Sequence, residues 1–547
     1  MNWLLPIRRS ALRPQSLSPR SLPATPYAKA LSLRRPRCSS TFSPTNIAAL
    51  LKPAPLSTSP QNAPSDGQPL TINGFVRSVR KQKRIAFAVI GDGSTLQTVQ
   101  AVLPPQLAEG LSNGAAVAVT GTWAPSLGKG QSHELQVDHV RLLGENDAAA
   151  YPMQKKYQTA EFLRTLPHLR SRLPFNSLIL RLRSLVTAHV TSYFAKHDFV
   201  QCHTPIITSS DCEGAGEVFT VAPEVPSPAT PEATSTNQMK QREDLFFGSP
   251  KYLTVSGQLH LEALAQSVNK VWTLSPAFRA EKSDTARHLS EFYMLEAELA
   301  FVDDVNQIMD VVEDMLRSVT SEVKSSTVGH ELLEARAQAH EQEDGGVSPD
   351  TLVQRWQGLV AGPWPRITYG NAVQHLKDAV AQGKVSFEFA PGHADGLQTE
   401  HERYLAESVG LGGPVFVTDY PRNIKPFYMA PSTSMQTEAQ AATTVACFDL
   451  LVPEICELVG GSMREHRLHE LLQAMKEHGL QGAEGAADGD EAATEDALQW
   501  YVDLRRYGSV PHGGFGLGFD RLLCYLSGVS NIRDVVSFPR WHKRCDC

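Results

Sequence analysis

The stretch "FRAEKSDTARHLSEFYMLEAELAF", residues 278–301, sets two arginines, a histidine and four glutamates among alternating apolar residues. Period-two alternation on both sides of a polar turn reads as a β-hairpin, because successive side chains in a strand point to opposite faces. On the outgoing strand Arg279 and Glu281 would share a face. On the returning strand Phe292, Met294, Glu296 and Glu298 would share another, and the intervening "KSDTARHLS" is a loop bearing Arg287 and His288. A solvated hairpin accepts almost any polar residue. This one aims a guanidinium, a ring and carboxylates into one surface, which points to a ligand.

A second stretch, "GGFGLGFDRLLCYLSG" (513–528), reads as a glycine-rich strand running into a helix that opens near Asp520 and Arg521. At a helix start the free backbone N–H groups attract anions, so Arg521 is well placed for one. A lone arginine is more often a structural salt bridge. Two of them, remote in sequence and each beside glycine or aromatic residues, suggest a polyphosphate held from both sides. No G-x-x-x-x-G-K-[ST] loop is present to do this another way.

At 547 residues the chain is too long for one compact core, so two or more domains are expected. The net charge of −7 conceals an asymmetry. Residues 1–65 hold seven arginines, two lysines and no acid, which leaves the remainder strongly acidic. Nucleic acid would therefore meet local basic patches and not an overall field. The acid-free, arginine- and serine-rich start lacks an unbroken apolar core and suits a mitochondrial transit peptide, followed by a disordered linker to residue 65. The eight cysteines include no CxxC pair, which favours reduced thiols over a structural metal. No stretch is long and apolar enough to span a bilayer, so no membrane partner is expected.

Between residues 68 and 145 about five short alternating segments, with turns at Asn73-Gly74 and Gly91-Asp92-Gly93, suggest an OB-fold barrel, a fold that takes single-stranded nucleic acid. Arg77, Arg80, Lys81, Lys83 and Arg84 cluster on its first hairpin beside Phe87. Phe87 either stacks on a base or belongs to the barrel core. From residue 150 to 547 helical spacing ("FNSLILRLRSLVTAHVTSYFAKHDF") alternates with strands, the first being "VQCHTPIIT". Two low-complexity stretches, 222–244 and 480–496, read as surface loops. The fold class expected is α+β.

These stretches resemble the class II aminoacyl-tRNA synthetases. "FRAE" with its loop and "EF" is similar to their motif 2, "GFGLGFDRL" to motif 3, and the strand ending in Pro205 to motif 1. An OB-fold ahead of such a domain marks subclass IIb, which serves aspartate, asparagine and lysine. The resemblance implies an OB-fold followed by a mixed, mainly antiparallel sheet flanked by helices, with homodimerisation through motif 1 around Pro205. It implies ATP and Mg²⁺ as cofactors and tRNA as partner. Arg279 would bind the α-phosphate and the attacking carboxylate, Phe292 would stack on adenine, and Glu281 would lie near the base or the tRNA end. Arg521 would meet the γ-phosphate, and Arg287 and His288 the bent triphosphate. Asp449 and Glu457 match the acidic pair that carries Mg²⁺. Phe87 and Gln100, with Arg77 nearby, match the anticodon-reading positions.

"YLTVSGQLHLEAL", "PVFVTDYPRNIKPFYM", "ELVGGSMREHRL" and "WYVDLRRYGSVPHGGFGLGFDRL" are more similar to asparaginyl- than to aspartyl-tRNA synthetases. Where the aspartyl enzymes commonly place a lysine, three residues after the glutamine matching Gln258, this chain has Leu261. Loss of a cation suits a neutral amide better than a second carboxylate. By the same resemblance Glu213 and Gln258 would hold the α-ammonium, Arg464 the amide oxygen and Glu296 the amide or ammonium N–H groups. The expected reaction is the ATP-dependent ligation of asparagine to tRNA(Asn) in the mitochondrial matrix. The alternatives are an aspartyl-tRNA synthetase, an asparagine synthetase on the same catalytic domain, which would need no OB-fold, and a non-catalytic RNA-binding paralogue. The last is disfavoured by the presence of both Arg279 and Arg521.

Overall fold

The computed structural model describes residues 46–51, 67–128, 131–154, 156–209, 218–222, 246–338, 346–432, 444–480 and 492–547. The leader and Glu213 lie outside them. So do most of the stretches 222–244 and 480–496, although a helix over Ala492–Arg506 takes up the end of the second. Among the described residues no helix is long and apolar enough to cross a membrane.

Five strands, β1 (Pro69–Lys81), β2 (Ala86–Gly91), β3 (Val99–Leu103), β4 (Ala116–Pro125) and β5 (His133–Gly144), close into a barrel in the order β1-β2-β3-β5-β4. Alternation decides its two faces. Ala86, Ala88 and Ile90 of β2 are wholly buried, while Phe87 and Val89 between them are half-exposed. One expectation is corrected here. Residues 46–51, placed in a disordered linker by composition, include a short helix α1 (Ile47–Leu51). Its Ile47 and Leu50, three apart and so on one face, are buried in the barrel core. The Ile47 and Ala48 amides bond to the Asp92 carboxylate at 2.8 Å and the Ser94 hydroxyl at 3.0 Å.

The larger domain is built on an eight-stranded sheet. Its strands in chain order are β6 (Val200–Gln201), β7 (Lys270–Phe278), β8 (Glu291–Ala300), β9 (Arg366–Thr368), β10 (Val415–Thr418), β11 (Cys447–Val452), β12 (Cys456–Met463) and β13 (His512–Gly518). Their spatial order is β9-β10-β11-β12-β13-β8-β7-β6, parallel only at the two edges. The expected mixed, mainly antiparallel sheet is therefore observed. Helices α2 (Pro174–Lys196), α4 (Val305–Ser325) and α6 (Phe519–Ser527) share one apolar core with it, in which Leu182, Leu316 and Leu523 meet Trp272 and Leu517. Two further helices, α3 (Gln258–Val268) and α5 (Thr399–Ser408), carry residues of the site.

"VQCHTPIIT" is not one strand. Val200–Gln201 pairs with β7, whereas Ile207–Thr208 joins a separate three-stranded sheet with Lys251–Leu253 and Thr220–Val221. Pro205 lies exposed between the two pieces, where the lack of an N–H donor breaks the ladder.

Candidate active site

The hairpin exists, with Thr273 opposite Glu296 and Phe278 opposite Glu291. β7 ends at Phe278, however, so Arg279 and Glu281 sit in the loop and not on the strand. They still face each other: Arg279 Nη1 is 3.9 Å from Glu281 Oε1, and the Arg279 amide bonds to the Ser290 carbonyl at 3.0 Å. The Arg279 guanidinium lies over the Phe292 ring at 5.5 Å, a cation–π contact.

These residues line one cleft together with Arg287, His288, Glu457, Gly516, Gly518 and Arg521. Residues from the 278–301 hairpin and its loop, from β12 and from the start of α6 are thus brought together. Arg521 is in the first turn of α6, donates to the Glu457 carbonyl at 2.8 Å and stands 3.8 Å from that residue's carboxylate. Arg287 donates to the Thr399 hydroxyl at 2.6 Å and to the Ile455 carbonyl at 3.4 Å. His288 Nδ1 is 3.0 Å from the Ser283 hydroxyl, and Nε2 is 3.5 Å from Glu281. Burial pushes the His288 imidazole pKa down, and Glu281 opposes that shift. Asp520 ties the cleft to the core, accepting from the Tyr293 amide at 2.9 Å and from Arg183 of α2.

Asp449 and Glu457 flank Gly460. A Cβ there would lie 3.3 Å from Glu457 Oε1 and 3.5 Å from Asp449 Oδ1, so glycine leaves a gap bounded by two carboxylates. Lys425 Nζ bonds to both Asp449 oxygens at 3.1 and 2.9 Å. Burial raises the Asp449 carboxyl, and Lys425 holds it back. Glu402 of α5 feels both acids. Burial and the charges of Glu457 and Asp449 push it up to about 8. Among the described residues no three His, Cys, Asp or Glu side chains converge as a closed metal site. Two oxygen donors do suit Mg²⁺, which usually takes one or two carboxylates and completes its shell with phosphates and water.

Beside the cleft the sheet carries a buried charge network that the sequence did not reveal. Arg464 donates to Glu298 at 3.0 and 3.1 Å and to the Ser462 hydroxyl at 2.6 Å. Glu262 accepts from Arg505 at 2.6 Å and from the Tyr501 hydroxyl at 2.7 Å, and its carboxylate is 3.1 Å from His512 Nε2. Burial works to raise Glu262, yet Arg505, His512 and Arg464 hold it well below the usual carboxylate range. Glu296 is buried, accepts from the Ser256 hydroxyl and accepts from the Gly257 amide at 2.9 Å. Gln258, at the start of α3, donates to Glu262 at 3.1 Å. Leu261 packs with Ala265 and Val271 in a small apolar cluster. Glycine at 514 makes room for the network, since a Cβ there would come within 2.1 Å of Glu298 Oε2. The signals that could have found Glu262 and Glu298 are helical i, i+4 spacing from Gln258 and strand alternation from Glu296. Arg505, His512 and Lys425 carried no local signal.

On the barrel, Phe87 lies on the outer face with the Arg80 guanidinium 5.1 Å from its ring centroid, which removes the core reading. Gln100, opposite Val89 on the next strand, donates to Glu134 at 3.2 Å. Lys81, Lys83 and Arg84 are exposed. Arg77 is placed differently: Nη1 donates to the Arg172 carbonyl at 2.6 Å, at the seam with the larger domain, and burial lowers its pKa. It sits at a register shift of β1 between Val76 and Ser78.

Residues 159–542 match the family described as "tRNA synthetases class II (D, K and N)", and residues 70–143 match "OB-fold nucleic acid binding domain". The chain is 41% identical over 494 residues to the mitochondrial asparagine–tRNA ligase of Saccharomyces cerevisiae, covering 86% of this chain and 92% of that protein. It is also 41% identical over 486 residues to the asparagine–tRNA ligase of Microcystis aeruginosa, covering 87% of this chain and 96% of that protein. The crystal structure of asparaginyl-tRNA synthetase from Pyrococcus horikoshii complexed with asparaginyl-adenylate superposes with a TM-score of 0.72 at 26% identity, covering 92% of this chain and 99% of that one. With the cleft, the barrel and these likenesses in agreement, the chain belongs to the asparaginyl-tRNA synthetases of class II.

Proposed function

We propose that the protein activates asparagine with ATP as asparaginyl-adenylate, transfers it to tRNA(Asn), and does so in mitochondria as a homodimer. The observation that carries the amino-acid choice is the charge balance beside the cleft. Three buried carboxylates, Glu262, Glu296 and Glu298, face two buried arginines, Arg464 and Arg505. A substrate bringing a second carboxylate would add an anion beside these three acids, and the position three residues after Gln258 holds Leu261 and not a cation to meet it, whereas a neutral amide needs none. Arg464 has its guanidinium fixed by Glu298 and Ser462 and can present a remaining N–H to the amide oxygen. Glu296 can accept from the amide or ammonium protons, Gln258 lies at the pocket's helical edge, and Glu213 remains a candidate by resemblance.

In the first step an oxygen of the substrate carboxylate attacks the α-phosphorus in line, and pyrophosphate leaves with the bond between the α- and β-phosphates broken. The protein's work is to hold two anions together and to neutralise charge as it spreads. Arg279, already stacked on Phe292, can reach the α-phosphate from the adenine side. Arg521 and the loop residues Arg287 and His288 surround the space for the triphosphate tail. Asp449 and Glu457 would hold Mg²⁺, which supplies charge neutralisation on the phosphates when bound. Lys425 keeps Asp449 oriented until then. In the second step a terminal hydroxyl of the tRNA attacks the adenylate carbonyl and AMP leaves. Phe87, Gln100 and the exposed bases of the β1–β2 hairpin form the face for the anticodon.

The mitochondrial assignment rests on the arginine-rich, acid-free leader and on the names of the two yeast relatives, from Saccharomyces cerevisiae and Schizosaccharomyces pombe. The dimer rests on the motif 1 resemblance around Pro205, near the exposed Val200, Ile206 and Ile207. ATP/[³²P]pyrophosphate exchange with each amino acid tests the central reading. Asparagine should drive exchange; exchange driven by aspartate alone would overturn it in favour of the aspartyl alternative.

A further inference from the structure

We propose that Arg533 is a positioning residue for the ATP half of the cleft, acting through the 282–290 loop; this rests on reading that cleft as the ATP site. The loop has no regular structure, yet it must present Arg287 and His288 in one arrangement. Something outside it has to supply the order. Arg533 Nη2 donates to the Asp284 carboxylate at 2.8 Å and to the Thr285 carbonyl at 3.2 Å. Next to it, the Ile532 amide donates to the Ala286 carbonyl at 2.9 Å, and at the loop's far end the Ser290 amide donates to the Arg540 carbonyl at 2.7 Å. The C-terminal segment thus grips the loop at both ends.

The grip is stiff because Arg533 is itself fixed. Its side chain is 8% exposed, with its guanidinium 4.6 Å from the Trp541 ring centroid. The Asn531 side chain caps its amide at 3.0 Å. Behind it, Arg170 donates to the Arg533 carbonyl at 2.8 Å, and Asp534 takes two bonds from Arg164 at 2.9 and 2.7 Å. On the loop side the contact leads straight to the cleft. Thr285, whose carbonyl Arg533 holds, places its hydroxyl on His288 Nδ1. Arg533 does not itself line the cleft, although its neighbour Ile532 does, and its side-chain bonds go to the loop.

The test is steady-state ATP/pyrophosphate exchange by the full chain carrying Arg533→Ala, Asp284→Ala or Arg533→Lys. Arg533→Ala should raise KM for ATP about tenfold, the equivalent of one charge-assisted hydrogen bond, and leave KM for asparagine within about twofold. Asp284→Ala should give a smaller rise of the same kind, and Arg533→Lys should recover part of the loss. Asp284 is 78% exposed, so its variant keeps the fold even if Arg533→Ala does not, which circular dichroism reports. An unchanged KM for ATP in the folded variants, or equal losses for both substrates, overturns the proposal while the cleft assignment stands. Failure of the unmodified protein to exchange with either asparagine or aspartate overturns both.

Discussion

Arg464 and Glu298 form an ion pair across the glycine-rich strand β13, with 3% and 1% of their side chains exposed and an N···O separation of 3.0 Å. Neither charge reaches water, so each depends on the other. Breaking such a pair from one side leaves an uncompensated buried charge at a cost of about 3–5 kcal/mol. Glu298→Ala should therefore lose about that much in urea denaturation. Glu298→Gln, which keeps acceptor and shape, should lose clearly less. Equal midpoints for the two variants would mean that Arg464 finds other partners.

Arg279 is half-exposed and braced by Phe292 and Glu281, so it contributes little to the fold. Arg279→Ala should cut the exchange rate by about 100- to 1000-fold, the usual loss when one charge-stabilising donor is removed. Filter binding of tRNA should stay close to that of the unmodified protein. Retained exchange would refute the role given to this residue.

Glu296 supplies a pH signature. Burial pushes its carboxyl pKa above the ordinary 4.5, against the bonds from Ser256 and Gly257. A carboxyl raised by folding makes the native state hold the proton more tightly than the unfolded chain. Stability then falls as pH climbs through the interval between the ordinary and the raised value. Glu296→Gln lacks that slope. Its melting temperature relative to the unmodified protein should climb as the pH rises above the ordinary carboxylate range, while asparagine-dependent exchange is lost. An offset that stays constant with pH would show that Glu296 carries no shifted proton.

Ile47 is fully buried in the barrel although it precedes the first strand by more than twenty residues. Ile47→Ala should destabilise the barrel by about 2–4 kcal/mol, the range for emptying a large aliphatic site. Hydrogen exchange of the amides of β1–β5 under rising denaturant reports it. A wild-type midpoint would show that α1 is not part of the barrel's cooperative unit.

Alternation and turn chemistry made the hairpin over 278–301 and the barrel legible, because neighbours in the chain impose both on one another. The mixed sheet and the meeting of Arg279, Arg287, His288, Phe292 and Arg521 in one cleft were expected from the resemblance to the class II synthetases and not from local pattern. Tertiary structure alone decided the rest. Only packing could turn Arg77 to the domain seam, draw α1 into the barrel and lay Lys425 on Asp449. The same holds for the network that joins Glu262, Glu298, Arg464, Arg505 and His512 across some 250 residues. A sequence shows that a charge exists. Whether it is solvated or buried against a partner depends on which distant segments the fold brings beside it, because the cost of burying a charge is set by those partners and not by its neighbours in the chain.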